Sequence, residues 1–226
     1  MRLVKWANIP LSLDEWKVKE KAHEHLFSKY EPLPGAVNLL ETLSQHTSPP
    51  VKIALASSAG RRLFEVKTSH ISGVSSAFNA HRQVFGDDAD MASCSKKPSP
   101  EIFLLALKRI NEMVTEMGEH HIKPEQCLVF EDSIAGVEAG RRAGMRVVWV
   151  PHPGLAAVCV GKEQKVLAGS TEMHGIPMDL SGVGQQAGEQ VRLSQGESLK
   201  SDDGWAEMRI SLENFPYEQY GIRLTP

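Results

Sequence analysis

Three short apolar runs constrain this chain more than any other feature. They are VKIALA (51–56), CLVF (127–130) and MRVVWV (145–150). Each is too short for a buried helix and is bounded by turn formers: Pro49-Pro50 and Ser57-Ser58-Ala59-Gly60 around the first, Gly144 and Pro151 around the third. None alternates apolar with polar, so each reads as a strand buried on both faces. Between them lie helical patterns. Pro34-Gly35 opens a helix with Val37, Leu40 and Leu43 on one stripe, and 61–71 reads as another. Ser99-Pro100-Glu101 sets a Ser cap, a first-turn Pro and an acid before Phe103, Ala106, Leu107 and Ile110, and Ala135–Ala143 stops at Gly144. Strands alternating with helices predict an α/β fold, a parallel sheet covered on both faces.

The flanking regions read differently. Ser12-Leu-Asp-Glu15 is a capping box, with Leu11 and Trp16 placed to staple a charged helix reaching about Tyr30. Residues 78–85 are a weak strand candidate. Gly161–Gly204 is rich in Gly, Ser, Gln and Glu and reads as a low-order insertion, after which Glu207–Leu212 forms a late strand.

Composition excludes some functions. A net charge of −3 with scattered basic residues gives no footprint for nucleic acid. The start of the sequence lacks a signal-peptide pattern, and 147–160 is too short and too broken by Pro151 and Pro153 to span a membrane. The three cysteines, Cys94, Cys127 and Cys159, have no zinc spacing, and Cys127 reads as a buried reduced thiol. A cytoplasmic setting is expected.

Ligands of open parallel sheets bind beyond the carboxyl ends of the strands. Ser57 and Ser58 directly follow the first run, Glu131 and Asp132 follow CLVF, and Lys97 precedes the helix at Ser99. Hydroxyls and free helix N–H groups hold phosphate oxygens, a lysine neutralises developing charge, and adjacent carboxylates suit Mg²⁺. Taken singly, each has a plainer role: a cap, a solvated lysine, acids facing a helix dipole. Their order and spacing together point to phosphate chemistry.

At these residues the sequence resembles the haloacid dehalogenase-like hydrolases, in the group of pseudouridine-5′-phosphatases and sugar-phosphate phosphatases. ALASSAG (54–60) is similar to the family's second motif, KKPSPEIF (96–103) to its third, and CLVFEDSIAGVEAGRRAGMRVVWVPH (127–152) closely to its fourth. The resemblance spans about 33–153. It implies a Rossmann-like three-layer core and a Mg²⁺-dependent phosphatase of a small phosphorylated metabolite. Ser57, with Ser58, would bind the phosphoryl group, Lys97 would stabilise its charge, and Asp132, helped by Glu131, would hold Mg²⁺.

The family's first motif, Asp-x-Asp-x-Thr/Val after an apolar strand, has no counterpart before Ser57. Asp14-Glu15 lies in the capping box, and Asp88-Ala-Asp90 has the spacing but falls between the second and third motifs and is followed by Ala92. In the family that strand lies at the centre of the sheet, between the strands of the second and fourth motifs. Without it those neighbours pair directly or leave backbone groups unsatisfied, at about 1–3 kcal/mol each. The resemblance thus implies a chain that is N-terminally truncated, with 1–32 a cap remnant, 33–160 and 205–226 the core, and 161–204 an insertion. Two outcomes follow: a phosphatase inactive as given for want of its nucleophile, or a non-catalytic pseudoenzyme that binds a phosphorylated ligand or a protein partner.

Overall fold

The computed structural model describes residues 12–170 and 197–225. Helix α1 (Leu13–Ala22) begins at the expected capping box: Ser12 N donates to Glu15 Oε2 at 2.7 Å, and Glu15 N donates to Ser12 Oγ at 3.3 Å. The staple between Leu11 and Trp16 lies outside the described residues. The helix stops short of Tyr30, and a 3₁₀ turn over Glu24–Lys29 follows. That turn points Phe27 inward, where the Lys67 ammonium sits 4.8 Å from its ring centre.

Helix α2 (Ala36–Gln45) buries Leu39 and Leu43, so its core-facing stripe is rotated from the expected Val37, Leu40 and Leu43. Strand β1 (Leu55–Ser57) leads through α3 (Arg61–Thr68) and the single turn α4 (Val74–Ala77) to β2 (Gln83–Phe85). Helix α5 (Glu101–Glu116) is the longest among the described residues, burying Ile102, Phe103, Ala106, Leu107, Ile110 and Val114. Pro100 stands at its N-cap and no side chain caps it, so the cap expected from Ser99 is not made. Then come β3 (Leu128–Glu131), α6 (Ile134–Arg142), β4 (Arg146–Trp149), α7 (Pro153–Val158), α8 (Glu163–Leu167), β5 (Ser198–Lys200) and β6 (Ala206–Arg209).

The strands form two sheets rather than one. β1 pairs in parallel with β2, and a second sheet runs β3-β4-β6-β5, parallel except for the antiparallel edge strand β5. β1 and β3 are not hydrogen-bonded to each other. The apolar packing is nonetheless continuous across the break. On one face Ala54, Ala56, Val84, Val129 and Val147 meet the inner side of α5 and α6. On the other, Ile53, Leu128, Phe130 and Val148 meet Leu39, Leu43 and Phe215. Alternate residues of β3 and β4 therefore enter opposite layers, as a sheet covered on both faces requires.

The boundaries expected at 161 and 205 move inward. Val166 and Leu167 of α8 have no exposed surface, and β5 pairs with β6 through Leu199 and Met208. Residues 161–170 and 197–204 thus belong to the core: two apolar positions in a polar stretch suffice when both are buried. The remainder of that insertion, 171–196, lies outside the described residues. The first apolar run also yields a shorter strand than expected. Only its last residues find ladder partners in β2, and the Ile53 carbonyl accepts instead from the Arg82 guanidinium at 3.1 Å.

Cys127 is half-buried and Cys159 buried, and both are free thiols. Burial, with the nearby Glu125 charge adding to it, pushes the Cys127 thiol up to about 11; burial, with Glu163, does the same to Cys159. Only about one molecule in a thousand then carries either thiolate at pH 8. Alkylation of both in the native protein is expected to accelerate roughly tenfold per pH unit from pH 8 to 10. A rate that levels off below pH 9, followed by mass spectrometry of the two peptides, contradicts this.

Candidate functional site

Ser57 closes β1, and the chain turns at once into a loop held from two sides. Ser57 Oγ accepts from Ala59 N at 3.2 Å. Arg61 N, at the start of α3, donates to Asp87 Oδ1 at 3.0 Å, so the acid after β2 caps the helix after β1. Gly86 is required by space, and Gly60 leaves room for the Asp87 carboxylate. A Cβ on Gly60 would lie 2.5 Å from Asp87 Oδ2, and one on Gly86 would lie 2.3 Å from the Ser58 carbonyl oxygen. The Ser58 side is exposed.

Lys97 arrives from the loop before α5 with a side chain only 10% exposed. Its ammonium donates to the Ala56 carbonyl at 3.3 Å, pairs with the Glu131 carboxylate, and lies 4.6 Å from the centre of the Phe103 ring. It therefore touches the carboxyl ends of both β1 and β3. Sequence order alone placed these residues on one edge, and the structure brings Ser57, Lys97 and Glu131 into one neighbourhood.

Glu131 ends β3 and is 7% exposed. Besides Lys97 it accepts from Ser133 Oγ at 3.1 Å, while Ser133 Oγ accepts from Gly136 N at 3.0 Å and caps α6. A Cβ on Gly136 would fall 2.0 Å from the Glu131 carboxyl carbon. Glycine in the first turn of α6 is what lets the carboxylate fold back against the helix, at a helix-propensity cost of about 1 kcal/mol relative to Ala. That cost was the sequence signal for Gly136, and it went unread.

Asp132 faces outward, and its carboxylate makes no hydrogen bond or ion pair among the described residues. Its backbone is fixed from below: the carbonyl accepts from Trp149 Nε1 at 3.1 Å, and Trp149 has no exposed surface. Nothing in the sequence pointed to Trp149, since a tryptophan inside an apolar run reads as core.

The acids with Asp-x-Asp spacing serve elsewhere. Arg109 of α5 donates to Asp88 Oδ2 at 3.0 Å and to Asp90 Oδ2 at 2.8 Å, and Phe85 N also donates to Asp88 at 3.2 Å. Hydrogen bonding and attraction from Arg109 hold the Asp90 carboxyl below its ordinary value. Asp88 and Asp90 thus tie β2 to α5. Among the described residues no three His, Cys, Asp or Glu side chains gather as a ready metal site, and no helix is long and apolar enough to cross a membrane.

Comparison with known proteins fits this geometry. The model of the haloacid dehalogenase-like hydrolase family matches residues 6–144. This chain belongs to that family. It is 38% identical over 173 residues to a Saccharomyces cerevisiae protein named "probable pseudouridine-5′-phosphatase", covering 76% of this chain and 69% of that one. A Drosophila melanogaster protein of the same name is 34% identical over 180 residues, covering 77% of this chain and 72% of its own. The fold is shared with a conserved haloacid dehalogenase-like protein of unknown function from Agrobacterium tumefaciens. That match has a TM-score of 0.50 at 20% identity and covers 81% of this chain and 76% of the other. The α/β fold expected from the three apolar runs, and the Rossmann-like core that the resemblance implies, are therefore the family's own.

Proposed function

We propose that this chain carries the phosphate- and Mg²⁺-handling part of a site that hydrolyses a small phosphomonoester, and that the 226-residue polypeptide alone turns none over. The observation that supports this most is Lys97: a buried ammonium that touches the ends of both β1 and β3. Burying a lysine is costly unless it is paired, and one held against the end of the strand that closes in Ser57 is placed to meet an anion. The names of the yeast and fly relatives agree with a phosphomonoester.

In this reading the Ser57 hydroxyl, with Ser58 and the N–H groups of their loop, binds phosphoryl oxygens. Lys97 neutralises charge that develops on them. Glu131 fixes the direction of the Lys97 side chain and holds the first turn of α6 in place.

The residues fit Mg²⁺ in donor type. That ion takes oxygen ligands, is bound through one or two carboxylates, and keeps several waters. Asp132 offers an outward carboxylate, and Glu131 lies beside it but engaged with Lys97 and Ser133. Asp132 would hold the ion, helped by Glu131; when bound, Mg²⁺ screens the negative charge of the phosphoryl group. No proton or bond transfer is assigned to these residues. The one Asp-x-Asp of the sequence, Asp88 and Asp90, is tied to Arg109.

Isothermal titration with inorganic phosphate tests the reading. Saturable binding that strengthens with MgCl₂ is expected, and Asp132→Asn is expected to remove the Mg²⁺ dependence while leaving the fold intact. Binding that is indifferent to Mg²⁺, or unchanged by Asp132→Asn, overturns it.

A further inference from the structure

The first apolar run meets β2 only in its second half. The ladder between β1 and β2 begins at Leu55 and Gln83, and just before it the Ile53 carbonyl accepts from Arg82 Nη1 at 3.1 Å. A pocket of about 260 Å³ lies here, at the amino ends of the two strands. Its apolar walls are Val51 and Ile53 from the run, Ala77 from α4, and Met113 and Met117 from the carboxyl end of α5. Ser57 and Lys97 stand at the opposite end of β1, so this pocket is separate from the phosphate site.

Two cations border the pocket, and their situations differ. Lys52 Nζ is neutralised by the Glu119 carboxylate at 3.0 Å. Arg82 is half-buried, and among the described residues no carboxylate lies within ion-pair distance of it. No aromatic ring lies against it there either, as rings do against Arg61 and Arg146. Its guanidinium makes one hydrogen bond, to Ile53, and its Nε has neither a partner nor contact with solvent. The carboxyl ends of α2 and α5 reach the same pocket through Ser44 and Met117 and favour a cation, but no carbonyl of theirs accepts from Arg82. A guanidinium drawn out of water with no counter-charge is costly, and an anion in the pocket would offset that cost.

We propose that this pocket binds a small carboxylic acid with an apolar body, its carboxylate on Arg82 and its hydrocarbon against Val51, Ala77, Met113 and Met117. Charge sets the head group. One uncompensated guanidinium matches one negative charge, and its planar fork matches a carboxylate. A phosphate dianion would carry a second charge into apolar surroundings with nothing to meet it. Shape sets the body. Two methionines give walls that adapt to an unbranched chain, and the cavity is smaller than the about 300–1,000 Å³ of sites for drug-sized ligands, so the chain is short. The proposal rests on Arg82 and its surroundings and does not depend on the phosphate reading.

The test uses the full chain with isotope-labelled methionine methyl groups, followed by NMR near neutral pH, and three probes: octanoate, its uncharged twin octanamide, and acetate. Octanoate is expected to shift the Met113 and Met117 signals saturably, with a Kd about tenfold or more below those of octanamide and acetate. Arg82→Gln is expected to erase the difference between octanoate and octanamide. Equal Kd values for octanoate and either other probe overturn the proposal, as does no shift of these two signals, or an equal shift of all the methionine signals. A preference for octanoate over octanamide that persists in Arg82→Gln also overturns it, because the seat of the charge would then lie elsewhere. If Arg82→Gln does not fold, the comparison of the three probes on the wild-type chain decides by itself.

Discussion

Replacing Lys97 with methionine is expected to lower the unfolding free energy by about 3–5 kcal/mol, the cost of leaving a buried carboxylate without its partner. The magnitude follows from exposure. Both side chains are at most 10% exposed, and the pair holds together the ends of two strands that share no ladder. A solvated surface pair would be worth only about 0–1 kcal/mol. The double replacement Lys97→Met with Glu131→Gln is expected to recover most of the loss, because no charge is then stranded. Urea denaturation of wild type, Lys97→Met, Glu131→Gln and the double variant measures the coupling, and a Lys97→Met loss below about 1 kcal/mol would place the pair in water.

Trp149→Ala is expected to cost about 3–5 kcal/mol, since it empties a fully buried indole site at the end of β4. Trp149→Phe separates packing from positioning. It keeps the ring but removes the hydrogen bond from Nε1 to the Asp132 carbonyl, for about 1 kcal/mol of stability. The same variant is expected to weaken Mg²⁺-dependent phosphate binding although Trp149 lies beneath the site. Calorimetric titration of a folded Trp149→Phe protein checks this; wild-type Mg²⁺ dependence would show that the indole only fills space.

Much of this architecture was legible because it is local. The three apolar runs fall on β1, β3 and β4, and Ser12 and Glu15 make the capping box their spacing announces. Ser57, Lys97 and Glu131 were read from position alone, because strand ends and the loop before a helix share one edge of a parallel sheet.

What escaped depends on contacts distant in sequence. Glu131 pairs with Lys97, 34 residues away, and no local pattern announces that pairing. The pairing of β5 with β6 was hidden inside a polar stretch, where period-2 patterning over three residues carries no signal. The rotation of the α2 stripe to Leu39 and Leu43 was likewise unreadable, since which of several apolar faces turns inward depends on the layer it meets.

The proposed function has this polypeptide binding phosphate without turning over a phosphomonoester. Hydrolysis of 4-nitrophenyl phosphate by the purified chain with MgCl₂ tests that most directly. The predicted result is a rate equal to the buffer blank for wild type and Asp132→Asn alike. Turnover by the wild-type chain that Asp132→Asn abolishes would contradict it.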